Sequence, residues 1–232
     1  MIETHTSCVK VSGTKICSYC YSSSIIKNGF TKTHKQQFFC KNCKKRFLDF
    51  YTYNAYKKDT NERIKEFVKE GLGIRSIARV LKISVTTLLK RIIIISEGIS
   101  KPILSFRRKY EIDEIRFYIR NKKNTMWLVY AIDKETKEVA NFYIGKRNNK
   151  TLNVVIKTIL NSKAQKIYTD KFQIYKYLIP KKLHSVKRFS TNHIERKNLT
   201  IRTHLKRFQR KTICFSRSIT ITVAILKIYF WL

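Results

Sequence analysis

Residues 110–120 read YEIDEIRFYIR, with charged and apolar residues taking turns. A period of two puts Glu111, Asp113, Ile115, Phe117 and Ile119 on one face of a strand. Downstream, 126–133 (MWLVYAID) and 138–144 (EVANFYI) are also strand-like, joined by a tight polar turn marked by Asp133 and Glu135. Over 150–160 the spacing becomes helical, with Leu152, Val155, Ile156, Ile159 and Leu160 facing inward. A short strand over 166–169 then ends at Asp170. A helical stretch over 191–208 follows, with Ile194, Ile201, Leu205 and Phe208 as its buried stripe.

The order β-β-β-α-β-α is that of a ribonuclease-H-like α/β domain, assigned here to 102–232. Upstream, Pro102 disfavours helix at Lys101 and marks a joint. Residues 57–101 read as a helix-turn-helix. Glu62 to Glu70 form one helix, ended by Gly71, and Ile74 to Leu81 form the next, with Ile77, Ala78 and Leu81 inward. Lys82-Ile83 make the turn, and Ser84 caps a third helix. Val85, Leu88, Ile92 and Ile95 share one face of that helix, which leaves Thr86, Thr87, Lys90 and Arg91 to meet DNA. The run Ile92 to Ile95 also admits a strand reading, and the apolar face from Leu88 to Ile95 offers a subunit interface.

Residues 1–56 hold five of the six cysteines. Cys17-x2-Cys20 and Cys40-x2-Cys43, 19 residues apart, have the spacing of a four-thiolate zinc ribbon. Iron on the same four sulfurs is the alternative ion. Asn28-Gly29 is a two-residue turn signal for the hairpin between the pairs, and Phe38, Phe39 and Phe47 are its expected core. Cys8 and Cys214 have no partner in this pattern. The fold class is therefore multidomain α+β: zinc ribbon, helix-turn-helix, then the α/β domain.

Hydrophobic residues make up 43% of the 232, which excludes wholesale disorder. No apolar run approaches a bilayer span, and the first residues lack a signal-peptide core, so no membrane role is expected and the location is cytoplasmic. Fifty Lys and Arg oppose 15 Asp and Glu, a formal charge of +35. Such a chain repels itself unless a polyanion balances it, and nucleic acid is favoured over an acidic membrane because no basic amphipathic helix stands out. On DNA it would be nucleoid-associated.

The acids carry the chemistry. From Val139 to Leu232 there are two, Asp170 and Glu195, against 21 Lys and Arg. Acids on a phosphate-binding surface are costly without a metal. Asp113, Asp170 and Glu195 sit where a Mg²⁺- or Mn²⁺-dependent nuclease needs oxygen ligands. Glu111 shares the face of Asp113 and is the runner-up there, while Glu195 beside Arg196 and Lys197 also fits a simple helix ion pair. Asn192, Asn198 and Arg202 fall near the Glu195 face, and Arg202 suits a phosphate. His184, His193 and His204 read as surface or DNA-facing groups rather than general bases.

Taken together, CSYC…FFCKNCKKRF, GIRSIARVLKIS, EIDEI, NKKNTMWLVYAID, GKRNNKTL, YTDKFQIY and TNHIERKNLTIRTHLKRFQRKTICFSRS make the chain resemble transposases of the insertion-sequence-1 family nearly end to end. The resemblance implies a DDE-type recombinase whose triad falls on Asp113, Asp170 and Glu195, with the following basic residue on Arg202. Twenty-four residues separate Asp170 from Glu195, which suits the family's compact spacing. Two features depart from the pattern. Lys82 stands where glycine is expected, and the β-branched run from Ile219 to Leu232 argues against a helix there.

The function expected is a DNA transposase that binds terminal inverted repeats and catalyses metal-dependent strand cleavage and strand transfer. Arg202, with Lys197 and Lys206 nearby, would contact phosphate. The expected partner is double-stranded DNA, at the element ends and the target. Pairing two ends calls for a homodimer or larger. The alternatives are a non-catalytic DNA-binding repressor of the element, which needs zinc alone, or a decayed, inactive copy, and a structure-specific nuclease.

Overall fold

The computed structural model describes residues 15–48, 52–187 and 190–232, and it divides into units 1–60 and 61–232. Cys8 lies outside the described residues. In the N-terminal unit, β1 (Ile25–Phe30), β2 (Gln36–Cys40) and β3 (Arg46–Leu48) form an antiparallel sheet in that order. The hairpin turn is not at Asn28-Gly29. Gly29 takes a φ of +67° inside β1, where the register shifts between Lys27 and Phe30, so the pair forms a bulge. The chain reverses instead at 31–35, where the Thr31 hydroxyl accepts from the amides of Thr33 and Lys35. Strand alternation also corrects the expected core. Phe38 and Phe47 are buried with Cys17 and Cys40, and their rings lie 5.8 Å apart, whereas Phe39 falls on the opposite face and is only half-buried.

In the larger unit the helix-turn-helix forms from α1 (Thr60–Lys69), α2 (Ile74–Leu81) and α3 (Val85–Glu97). The Ser84 hydroxyl accepts from the Thr87 amide at 3.0 Å, the expected cap. Lys82 holds the left-handed conformation (φ 53°, ψ 44°) that glycine adopts without penalty. Its amide still closes the end of α2 on the carbonyls of Ala78 and Arg79. Ile92 to Ile95 is helix, not strand, since it continues the 3.6-residue period begun at Leu88.

The larger sheet comprises β4 (Lys109–Tyr118), β5 (Thr125–Asp133), β6 (Val139–Gly145), β7 (Lys166–Tyr168) and β8 (His184–Ser185). The helices between and after are α4 (Asn149–Asn161), α5 (Gln173–Leu178), α6 (Asn192–His204) and α7 (Ile219–Trp231). The sheet order is β6-β5-β4-β7-β8, with β4 antiparallel to β5 and parallel to β7. This is the ribonuclease-H-like arrangement. The elements α5 and β8 are additions to the order read from the sequence. At six and two residues they are too short to show a period.

β4 is central and covered on both faces, so even its acids Glu111 and Glu114 are buried, while Lys109 and Arg116 stay exposed. On one face Tyr110, Ile112 and Val129 pack against Leu152, Val155, Ile156 and Ile159 of α4 and Tyr175 of α5. On the other, Phe117 meets Phe208, which follows α6 in a short 3-10 turn, with ring centroids 4.9 Å apart. Tyr130 stacks on Phe230 of α7 at 6.0 Å.

The helical α7 overturns the expectation drawn from its β-branched residues. Tertiary burial outweighs propensity here. Thr222, Ala224, Ile225, Leu226 and Ile228 are buried, and the Trp231 indole N–H donates to the Val139 carbonyl at 2.8 Å. α7 also packs on α3, and the Lys227 ammonium lies 3.3 Å from the Ser96 carbonyl. The apolar face of α3, expected to offer a subunit interface, is therefore core: Leu88, Ile92 and Ile95 are buried within the same chain. Gly71 fits the same close packing, since a Cβ there would stand 2.4 Å from the His204 carbonyl oxygen at the end of α6. No helix among the described residues is long and apolar enough to cross a membrane.

Candidate active site

Parallel pairing of β4 and β7 creates the site. Glu111 pairs with Tyr168, so Asp113, two residues further along β4, comes level with Asp170 just beyond β7. Asp113 faces Tyr130 of β5 in register. Its Oδ1 accepts from the Glu114 amide at 2.7 Å and its Oδ2 from the Asn198 side chain at 2.6 Å. Asn198 in turn accepts from the Tyr130 hydroxyl at 2.7 Å, so sheet and α6 are bridged through a buried amide. Asp170 is exposed, and its Oδ1 accepts from the Phe172 amide at 2.9 Å, which fixes the turn after β7.

Glu195 lies in the first turn of α6 and is exposed; its Oε1 accepts from the Thr191 hydroxyl at 2.9 Å. Among the described residues, Asp113, Glu114 and Asp170 offer carboxylate oxygens all within 4.8 Å of one another. Glu195 stands outside that group, although its charge reaches Asp113. Burial pushes the Asp113 carboxyl above the ordinary range. The Glu114 amide and Asn198 oppose that shift, while the charges of Asp170 and Glu195 add to it.

Glu114, which alternation along β4 places on the face opposite Asp113, also enters the carboxylate group. Burial pushes it up to about 7, against the pull of the Arg147 guanidinium and with the charges of Asp113 and Asp170 adding to the rise. Arg147 lies 3.4 Å from its Oε2 and stacks over the Phe172 ring at 3.7 Å and the Trp127 ring at 4.7 Å. A central strand is covered on both faces, so alternation alone did not exclude Glu114 from the site. Clustered carboxylates raise one another's proton affinity, and hard divalent cations such as Mg²⁺ or Mn²⁺ relieve that repulsion, so the donor set fits such an ion.

The basic candidates divide. Asn192 and Lys206 are exposed, Lys197 and Arg202 half-buried, and Asn198 is buried and committed to Asp113 and Tyr130. On α3, Thr86 and Lys90 are exposed. The Thr87 amide and hydroxyl meet Ser84, and Arg91 donates to Asn61 at 3.0 Å.

In the N-terminal unit the two cysteine pairs adopt matching knuckles. Cys17 and Cys40 each accept at their carbonyl from the residue four further on, Tyr21 and Lys44. Both of those residues have a φ of 57°. The Cys17 and Cys43 sulfurs are 3.6 Å apart and those of Cys20 and Cys40 are 3.5 Å apart. A tetrahedral zinc with bonds near 2.3 Å needs edges of about 3.8 Å, so the four sulfurs fit it. The Cys43 amide, against the cost of burial and with help from the Cys20 thiol, draws Cys40 down to about 6.

The mixed sheet with one acid within β4 and another just beyond its parallel neighbour β7 defines a ribonuclease-H-like domain with a carboxylate site, joined to a helix-turn-helix. Residues 109–231 match the family described as IS1 transposase, and residues 51–93 match the InsA C-terminal domain. The chain belongs to the IS1 transposase family. The InsB protein of insertion element iso-IS1n from Shigella dysenteriae is 35% identical over 111 residues, covering 48% of this chain and 85% of that protein. The IS1 2 InsB protein of Escherichia coli K12 is 34% identical over 109 residues, covering 47% and 65%. Among solved structures, the HTLV-2 integrase catalytic core domain in complex with magnesium aligns over 55% of this chain and 86% of its own, at 19% identity and a TM-score of 0.34.

Proposed function

We propose that this transposase binds the terminal inverted repeats of its own element and carries out both strand cleavage and strand transfer. The observation that carries this is the meeting of Asp113 and Asp170 on neighbouring strands, with the Glu195 helix tied to Asp113 through Asn198. Asp113, Asp170 and Glu195 would hold Mg²⁺ or Mn²⁺, which would screen phosphate charge and make an oxygen nucleophile more acidic. Water attacks phosphorus at the element end, the bond to the 3′ oxygen breaks, and a 3′-hydroxyl and a 5′-phosphate result. That hydroxyl then attacks a target phosphodiester, forming one P–O bond as another breaks, so no oxidant or reductant is needed.

The protein contributes position and charge. Arg202, Lys197 and Lys206, with Asn192 at the start of α6, face the phosphates, and Asn198 holds Asp113. Thr86, Thr87, Lys90 and Arg91 on α3 meet the repeat, and zinc on Cys17, Cys20, Cys40 and Cys43 stiffens the ribbon beside it. Two ends are joined by a homodimer or larger assembly, in the cytoplasm and on the nucleoid.

The test uses purified protein and a supercoiled plasmid bearing the native element ends, with Mg²⁺ or Mn²⁺. Nicks at the ends followed by joined products are expected, and both are lost in Asp170→Asn and Glu195→Gln while end binding persists. Strand transfer retained by Glu195→Gln overturns the triad. Binding without cutting in the parent chain leaves a repressor.

A further inference from the structure

A helix that carries a catalytic group must be held at the end where that group sits. Helix α6 has no side-chain cap of its own, because the Thr191 hydroxyl is turned to Glu195. The partner for its first turn comes from the sheet. Glu111 of β4 is wholly buried, and its Oε2 accepts from the Ile194 amide at 2.8 Å. Its Oε1 lies 2.8 Å from His193 Nδ1 and 3.2 Å from the Lys134 ammonium. Lys134 also donates to the Ser190 carbonyl at 2.8 Å, just before the helix. A carboxylate at this end satisfies an orphan N–H and sits favourably in the helix dipole.

The placement joins the two halves of the site. Glu111 is two residues before Asp113 on the same face of the same strand. Ile194, whose amide it holds, immediately precedes Glu195. We propose that Glu111 is a positioning residue that fixes Glu195 against Asp113 by capping α6 from the strand. The proposal rests on the transposase reading for its catalytic consequence. Glu111 touches neither substrate nor reacting atoms. Displacement of a catalytic group by about 1 Å costs on the order of a hundredfold in rate.

The experiment compares Glu111→Gln, Glu111→Ala and a control, Ile156→Ala, which opens the core on the opposite face of the sheet. Amide exchange at 192–196 is followed in the full chain without DNA, beside end cleavage, end binding and the Mg²⁺ concentration for half-maximal cleavage. Glutamine keeps an acceptor for the Ile194 amide, so protection and most cleavage should survive. Alanine should lose protection at least about tenfold and cleavage about a hundredfold. It should also need more Mg²⁺, while binding ends within about twofold of the parent. Ile156→Ala should keep its metal requirement even where it is as unstable as Glu111→Ala.

Protection unchanged in Glu111→Ala overturns the cap. A cleavage loss no greater than that of Ile156→Ala, or an unchanged metal requirement, overturns the positioning role. A parent chain that cuts no DNA overturns the transposase reading and the catalytic consequence with it. The exchange result then still decides whether Glu111 holds the helix.

Discussion

Among the described residues, two clusters of metal-ligand side chains are built in opposite ways. The four cysteines come from two knuckles joined by one hairpin, and each knuckle closes on its own backbone hydrogen bonds. The clustered carboxylates come from β4 and from the turn after β7, brought together by parallel pairing, with α6 tied across the sheet through Asn198. Around the cysteines the buried core is little more than Phe38 and Phe47. Around the carboxylates it runs through both faces of a five-stranded sheet. The first cluster should therefore depend on a bound ion to fold, whereas the second should fold without one. Small units with too little apolar area need such a staple, and large ones do not.

The largest effect should come from breaking the first cluster. Cys40→Ser, or stripping the zinc, should unfold the ribbon, since structural zinc contributes on the order of 10 kcal/mol or more in small domains. Unit 61–232 should keep its own cooperative transition. Calorimetry showing one shared transition, abolished by the loss of zinc, would erase the contrast.

Breaking the second cluster should do the reverse. Asp170→Asn keeps an acceptor for the Phe172 amide and removes a charge beside Asp113. Cleavage should fall by about 10³-fold or more, while the melting temperature stays the same or rises slightly. A marked fall in melting temperature would mean that Asp170 serves the fold.

Glu114 sharpens the same point through pH. Its folded-state value of about 7 lies above the ordinary 4.5, so the neutral form is favoured by folding. That stability is full below about 4.5 and is lost as pH rises through 7, a change of about 3 kcal/mol. In Mg²⁺-free buffer the urea midpoint of the larger unit should fall between pH 5 and pH 8, and Glu114→Gln should flatten the profile. A parent profile already flat would show that Arg147 keeps the carboxylate charged throughout. The smallest effect is expected away from both clusters. Lys82→Gly relieves a left-handed backbone and should stabilise the larger unit by about 1 kcal/mol, read as a shift in the same midpoint.

Features with a local cause were legible in advance. The Cys-x2-Cys pairs, the Ser84 cap and the periods of β4, β5 and α4 each depend on residues within one turn or one strand. Asn28-Gly29 misled because the same left-handed glycine serves a turn and a bulge, and the threonine hydroxyl that closes the real turn lies beyond it. The helix over 219–231 misled because β-branched propensity amounts to tenths of a kcal/mol per residue, and burial against α3 and β6 exceeds it.

By itself the sequence determined the family, the cysteine cluster, the three segments' textures and the acids worth watching, since those reside in residue identity and short spacing. Only the tertiary structure decided which acids meet. It set Glu114 beside Asp113 and Asp170, gave Glu111 to the start of α6, and turned Asn198 inward to Asp113. The reason is geometric. Alternation along a strand says which side a carboxylate leaves by, but the strand register and the helix lying across it determine what waits on that side.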